Sequence, residues 1–400
     1  FYLFPGPKFV REKKKNHYWL KYLQGWFVLM LKHRKKVLLA GLAVVIVSLI
    51  GTFQMTSNNF IMDDLSPNEP LKLDFNYLDE HYGGVRPFEM SVTVKDTSKN
   101  VWDVAVIQQV DSVQQYIEDV YKAEIKTSLV STLKVFNRSA HAGAKEFFEL
   151  PTSKRKLRKY RRFLRIAGGG KFIRTFVDST ESVMRVSGSI PDLGNNEVTK
   201  RNISLEKFIA EKEKSGLVDY QLTGTAHLID KNISYLSSSL VMGLALSILV
   251  VALIIGLIYR SVPILIISIV PNVLPLIFIA GIMGFTGIEL KTTTAIIFTI
   301  AFGIAVDDTI HFLGKFKYEL MKGHSKLYAL KRSYLTTGKA MILTTLILCA
   351  GFLLLVFSSF LGTFYMGLML CITLFVALVA DLTILPVLLL VFYNPKKKKG

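Results

Sequence analysis

The chain has 400 residues, a formal net charge of +19 and a 51% share of hydrophobic residues. Its apolar residues are gathered into long unbroken runs, which excludes an ordinary soluble domain, where they would recur at amphipathic spacing. The basic excess flanks those runs, so it reads as membrane topology rather than a nucleic-acid surface, and no nucleic acid is expected as a partner.

Phe1–Lys36 mixes basic residues with Tyr18, Trp19, Tyr22, Trp26 and Phe27, and with Leu20, Leu23 and Met30 between them. This predicts a cytoplasmic amphipathic linker, a helix lying at the lipid headgroups and leading into an anchor, with an ordinary disordered linker as the alternative. Lys32–Met55 lacks a clear small-residue cleavage site, so the first apolar run, residues 37–55, reads as a membrane helix and not a removable signal.

Residues 56–235 predict an extracytoplasmic α/β domain. Phe88–Val94, Ser182–Ile190 and Val218–Gly224 alternate as strands do, while Val101–Val120 and Ser204–Ser215 have helical spacing. Short strands parted by helix-length stretches favour helices packed on a sheet, in two small ferredoxin-like lobes. Lys154 to Arg165 carries eight Lys/Arg and reads as a solvated helix face, with anionic headgroups or acidic ligands as the alternative. No Ser/His/Asp, Cys/His or zinc-type cluster occurs here, and the separate His81, His141 and His227 read as structural or solvated, so no enzyme is expected.

A bilayer core ~30 Å thick needs about 20 apolar helical residues at ~1.5 Å each. After Val37–Met55, five more runs qualify: Leu236–Tyr259, Val262–Phe285, Thr292–Leu313, Ala340–Phe360 and Phe364–Tyr393. Residues 236–393 are thus a five-helix bundle, followed by a basic tail at 394–400. With six crossings, Lys32 to Lys36, Arg260, the seven Lys/Arg of Lys315 to Lys339 and Lys396–Lys399 all fall on one side. The positive-inside rule makes that side, with both termini, cytoplasmic. The two cysteines, Cys349 and Cys371, lie inside spans and offer neither a disulfide framework nor metal spacing.

The fourth run contains Asp307, Asp308 and His311. A carboxylate in hydrocarbon costs several kcal/mol unless paired or protonated, so intramembrane acids mark a functional site. Asp307 lies only ~7 Å past the span centre, too deep for its short side chain to reach water. His311, at i+4 from Asp307, is placed to bond it, and Gly303, four residues above, leaves room for a neighbouring helix. The group reads as a buried titrating cluster, in which two acids at adjacent positions cannot both ionise cheaply. Asp381 in the sixth span obeys the same cost argument and should face the bundle interior, with Thr344 and Thr345 of the fifth span as weaker members of a proton relay. Helix glue and a metal site are the competing readings; the latter lacks the further ligands that a hard cation or zinc requires. Pro263, Pro271, Pro275 and Pro386 mark expected kinks.

The run GIAVDDTIHFL, a basic loop with Gly323, then TGKAMILTTLILCAGFLLLVFSS and a last span ending LTILPVLLL closely resemble the membrane half of resistance-nodulation-division (RND) exporters. The resemblance is greatest to the hydrophobe/amphiphile and mycobacterial lipid exporter branch. TGTAHLIDKN before the second span is similar to the end of that family's second porter subdomain. The resemblance implies a secondary active transporter, a proton antiporter needing a proton gradient and no cofactor, that exports lipidic or amphipathic molecules from the cytoplasmic membrane. It places Asp307 and Asp308 at the family's proton-carrying position. It implies membrane lipids and an amphipathic substrate as partners, together with another RND half, because family members carry twelve spans in two halves. The leader resembles the linker between halves, which makes this the expected C-terminal half, with a half-size transporter that pairs with its own copy as the alternative. A Patched-like sterol-sensing receptor and a SecDF-type translocation accessory share the same helices. Asn137, Asn202 and Asn232, each heading an N-x-Ser sequon, suit the receptor reading.

Overall fold

The computed structural model describes residues 17–56, 58–167 and 171–394. The basic stretch Lys8–Asn16, the tail Lys396–Lys399 and the side chains of Tyr18, Trp19 and Leu20 lie outside the described residues. The chain divides into two compact units, Phe1–Thr56 with Ser238–Gly400, and Ser57–Ser237.

The first two helices among the described residues are α1 (His17–Lys32) and α2 (Arg34–Gln54). The apolar side of α1 buries Leu23, Phe27 and Met30, while Tyr22 and Trp26 remain exposed. Phe27 packs on Tyr334 with ring centroids 5.0 Å apart, so this amphipathic helix is partly seated on protein instead of lying free at headgroups.

The second unit runs α3 (Pro70–His81), β1 (Arg86–Val94), α4 (Val104–Tyr116), β2 (Glu124–Thr127), α5 (Leu129–Ser139), α6 (Lys154–Ala167), β3 (Val183–Ile190), α7 (Gly194–Glu213) and β4 (Val218–Thr223). The strands form one antiparallel sheet in the order β2-β3-β1-β4, the split arrangement of a ferredoxin-like fold. Among the described residues there is one such sheet, where two lobes were expected. The stretch separating β2 from β3 supplies α5 and α6 instead of a second set of strands. Alternation along β1 buries Phe88, Met90, Val92 and Val94 in the same core as Val106, Val110 and Val113 of α4 and Leu129 and Leu133 of α5.

The remaining helices are α8 (Thr225–Tyr259), α9 (Val262–Thr286), α10 (Thr292–Met321), α11 (Lys326–Leu353) and α12 (Leu361–Phe392). Among the described residues, six helices are long and apolar enough to cross a membrane: α2, the Ser238–Tyr259 part of α8, and α9 to α12. Of these, α9, α10 and α12 contribute most to the interior of the helical unit. Helices α2 and α9 approach with almost no side-chain spacer. A Cβ on Gly281 would lie 2.6 Å from Ser48 Cα, and one on Gly284 would lie 1.8 Å from the Gly51 carbonyl oxygen.

The basic segment expected as a loop from Lys315 to Lys339 is mostly helix, with only Lys322–Ser325 between α10 and α11. Two features shorten it. Glu319 is buried and gathers Lys315 at 3.1 Å, His324 at 3.0 Å and Arg332 at 3.2 Å, which ties the two helix ends together. Ser325 then caps α11, its side chain accepting from the Tyr328 amide at 3.4 Å.

Candidate functional site

Consecutive helical residues point about 100° apart, so Asp307, Asp308 and Thr309 sweep from one side of α10 to the other. Asp307 is exposed, Asp308 is half-buried and Thr309 is fully buried. On the buried side, the Thr309 hydroxyl lies 2.7 Å from Asp381 Oδ1 of α12 and 3.1 Å from Asn272 Oδ1 of α9. Asn272 Nδ2 donates to the Ser268 carbonyl at 2.7 Å. Asp381, Asn272 and Ser268 are each at most 1% exposed, so three helices meet through a buried polar cluster.

A hydroxyl carries one proton, and that limits what the cluster can do. With Asp381 ionised, Thr309 donates to the carboxylate and the Asn272 carbonyl oxygen loses its donor. With Asp381 protonated, its own O–H can donate to Thr309 Oγ1, which turns its proton to Asn272. The protonation of Asp381 thereby sets the direction of a hydrogen-bond chain reaching α9.

The sequence reading made Asp307 and His311 part of a buried cluster. His311 Nε2 does stand 3.4 Å from Asp307 Oδ1, but both side chains are 72% exposed in this chain. They belong to an exposed stripe of α10 formed by Thr299, Gly303, Asp307, His311 and Gly314, at spacings of three or four. Gly303 does not admit a neighbouring helix here, because a Cβ added to it meets nothing within 4 Å. The close helix approach is the one at Gly281 and Gly284. Thr344 is also exposed and bonds its own helix through the Ala340 and Met341 carbonyls at 3.1 and 2.9 Å, while Thr345 is buried. The structure thus gathers Asp381 with two residues that sequence reasoning missed, Thr309 and Asn272. The signal was available, since a lone Asn between Pro271 and Pro275 in an apolar run meets the same burial cost as an acid.

Residues 189–397, just over half of the chain, match the family model described as the MMPL family. The chain belongs to the MMPL family. That family is a branch of the RND superfamily, so the MMPL chain is a membrane protein of a transporter family, in keeping with its helices of membrane-crossing length and apolarity. It is similar to a candidate membrane protein of Methanocaldococcus jannaschii, with 30% identity over 140 residues. That match covers 35% of the MMPL chain and only 36% of the relative's length.

In the second unit of the MMPL chain, Arg86 is buried between Asp192 at 2.9 Å and Asp230. Burial works against its charge, but the two carboxylates overcome that and hold its pKa above the ordinary value. Asn137 is 2% exposed and its amide donates to the Phe147 and Glu149 carbonyls, so the first sequon is not available in the folded chain.

Proposed function

We propose that this protein moves lipidic or amphipathic molecules out of the cytoplasmic membrane by coupling export to proton flow through α10. The observation that carries this reading is the sweep from the exposed Asp307 through Asp308 to Thr309 and the buried Asp381. It is a row of proton-exchanging groups leading from one helix face to a cluster whose hydrogen bonds reverse with protonation. Proton arrival neutralises a costly buried charge, and its departure restores it, which biases the packing of α9, α10 and α12 between two arrangements.

The composition of the exposed stripe supports a partner. Exposed residues of α8 such as Leu246, Leu249, Leu253 and Leu257 suit lipid, whereas the stripe of α10 is polar or small. A second six-helix RND repeat, on the same polypeptide or in another copy, covers Asp307 and His311 in this reading and shields them from hydrocarbon. Residues 56–235 then form an extracytoplasmic, porter-like domain, with both ends of the chain in the cytoplasm. The receptor and SecDF-type readings use the same helices.

Asp308→Asn and Asp381→Asn keep volume and hydrogen bonding while removing titration. Reconstituted in vesicles with an imposed pH gradient and a fluorescent lipid analogue, each inserted variant should bind the analogue but lose gradient-driven transport. Wild-type uphill transport by both variants would eliminate the proton role and leave helix packing as the purpose of the cluster.

A further inference from the structure

Around the buried Arg86 of the second unit, one carboxyl oxygen is left over. Asp192 spends Oδ1 on Arg86 and Oδ2 on the Ile61 amide. Asp79 is spent as well, its oxygens accepting from the Val85 and Asp192 amides. Asp230 gives Oδ1 to Arg86, and among the described residues nothing donates to its Oδ2. Asp230 is only 8% exposed, yet this free oxygen is not sealed from water.

Asp230 lines a cavity of about 210 Å³ between residues 59–61, α3, the start of β1 and the first turns of α8. Arg86 shares the polar part of its wall, and Phe60, Ile61, Phe75 and Ile229 make up most of the rest. A second cavity on the same ion pair has about 20 Å³, room for a water and no more, so a guest that contains carbon belongs in the larger one. The charges give the sign of that guest. One guanidinium stands among the carboxylates of Asp79, Asp192 and Asp230, which leaves the cluster net negative. Lys72 turns its ammonium to the Leu65 carbonyl at 3.2 Å, and neither it nor Lys231 lines the cavity.

We propose that this cavity binds an alkylammonium group, whose N–H donates to Asp230 Oδ2 while its alkyl stem lies along Phe60, Phe75 and Ile229. The guest extends the alternation Asp192, Arg86, Asp230 by one cation and gives the free oxygen a partner. Aromatic walls favour an organic cation over a hydrated inorganic one. An anionic guest would face Asp230 while Nη1 and Nη2 of Arg86 already hold carboxylates. Such a site works whether or not export is proton-coupled.

The test is calorimetry on the full chain in nonionic detergent at fixed pH and ionic strength. The probes are n-hexylammonium, its neutral and anionic counterparts hexanol and hexanoate, and short-chain phosphatidylethanolamine beside phosphatidylglycerol. Saturable binding of hexylammonium, about tenfold tighter than hexanol or hexanoate, identifies a site for a free amine. Saturation by phosphatidylethanolamine and not phosphatidylglycerol, without hexylammonium binding, identifies an aminolipid headgroup; either result supports the site. Shortening hexylammonium to butylammonium should weaken binding about tenfold, as two CH₂ groups leave the apolar wall. Asp230→Asn keeps an acceptor for Arg86 but removes the charge, and should weaken binding about tenfold, against less than about twofold for Glu211→Gln on the exposed side of α7. The unsubstituted chain decides first: hexanol or hexanoate binding as tightly as hexylammonium, or no probe saturating below about 10 mM, would overturn the proposal. Equal weakening by Asp230→Asn and Glu211→Gln would do the same and leave Arg86 with its carboxylates as a structural ion cluster.

Discussion

Thr309 of α10 stands 2.7 Å from the Asp381 carboxyl of α12, with no exposure at Thr309 and 1% at Asp381. Thr309→Val keeps the shape but removes the hydroxyl, leaving a buried carboxyl and the Asn272 carbonyl without it. The expected loss is about 1–3 kcal/mol, read as earlier thermal unfolding in detergent. Thr309→Ser should remain near the parent, and equal melting of the Val variant would show that the contact contributes nothing.

Gly281→Ala and Gly284→Ala should both weaken the α2–α9 contact, since each new methyl would fall within 3 Å of the facing backbone. The helices must separate by roughly 1 Å at Gly284 and less at Gly281, and overpacking of this kind costs about 1–3 kcal/mol, occasionally more. Gly287→Ala meets nothing within 4 Å, but its φ of +70° strains an alanine, so Gly303→Ala is the proper control. Melting curves of the variants against that control decide the matter.

Arg86→Leu leaves Asp192 and Asp230 facing each other without their shared cation. Removing one partner of a buried ion pair typically costs about 3–5 kcal/mol, enough to expose the second unit to proteolysis in the full chain. Arg86→Lys keeps the charge but cannot reach two carboxylates with separate N–H arms, and should fall between the two. Protease resistance of the Leu variant equal to the parent would contradict this.

The His227 imidazole has its pKa lowered from 6.5, by burial first and then by the Lys231 charge. The folded chain therefore favours neutral imidazole more than the unfolded chain does. Its contribution is fully present above pH 6.5 and is lost as pH falls through the lowered folded value. His227→Gln should flatten the fall in melting temperature between pH 7.5 and pH 5, and an unchanged fall would assign the acid sensitivity elsewhere.

The proposed sidedness has a direct measurement. Single cysteines at the exposed Ser98 and Asn196 should react with an impermeant thiol reagent added outside intact cells, and one at Ser325 should not. Labelling at Ser325 would invert every loop.

Hydropathy alone located the helices of the bundle, because ~30 Å of hydrocarbon imposes an unbroken apolar length that no other element shares. It misjudged where α10 ends and α11 begins, since Glu319 and its three cations extend order beyond the apolar run by contacts that no window average registers. In the second unit, β1, β3 and β4 alternate visibly, but β2 has four residues and lies at a sheet edge, too short for periodicity to separate it from loop. At the candidate site, the cost of burying charge correctly sent Asp381 inward. It also sent Asp307 and His311 inward, whereas both side chains are exposed in this chain, because the cost of a charge in hydrocarbon does not say which face of a helix meets its neighbours. Thr309 escaped notice since threonine is common in spans and becomes significant only through what faces it.

Cys349 on α11 and Cys371 on α12 direct their thiols at each other's backbone carbonyls, at 3.7 and 3.2 Å. A thiol is a weak donor, so little holds the two together beyond the packing around them. As the chain's two cysteines, they form a native gauge of the separation between α11 and α12. A bilayer-soluble alkylating reagent gains access to them when those helices part, so the alkylation rate in working protein is a clock for opening of the bundle.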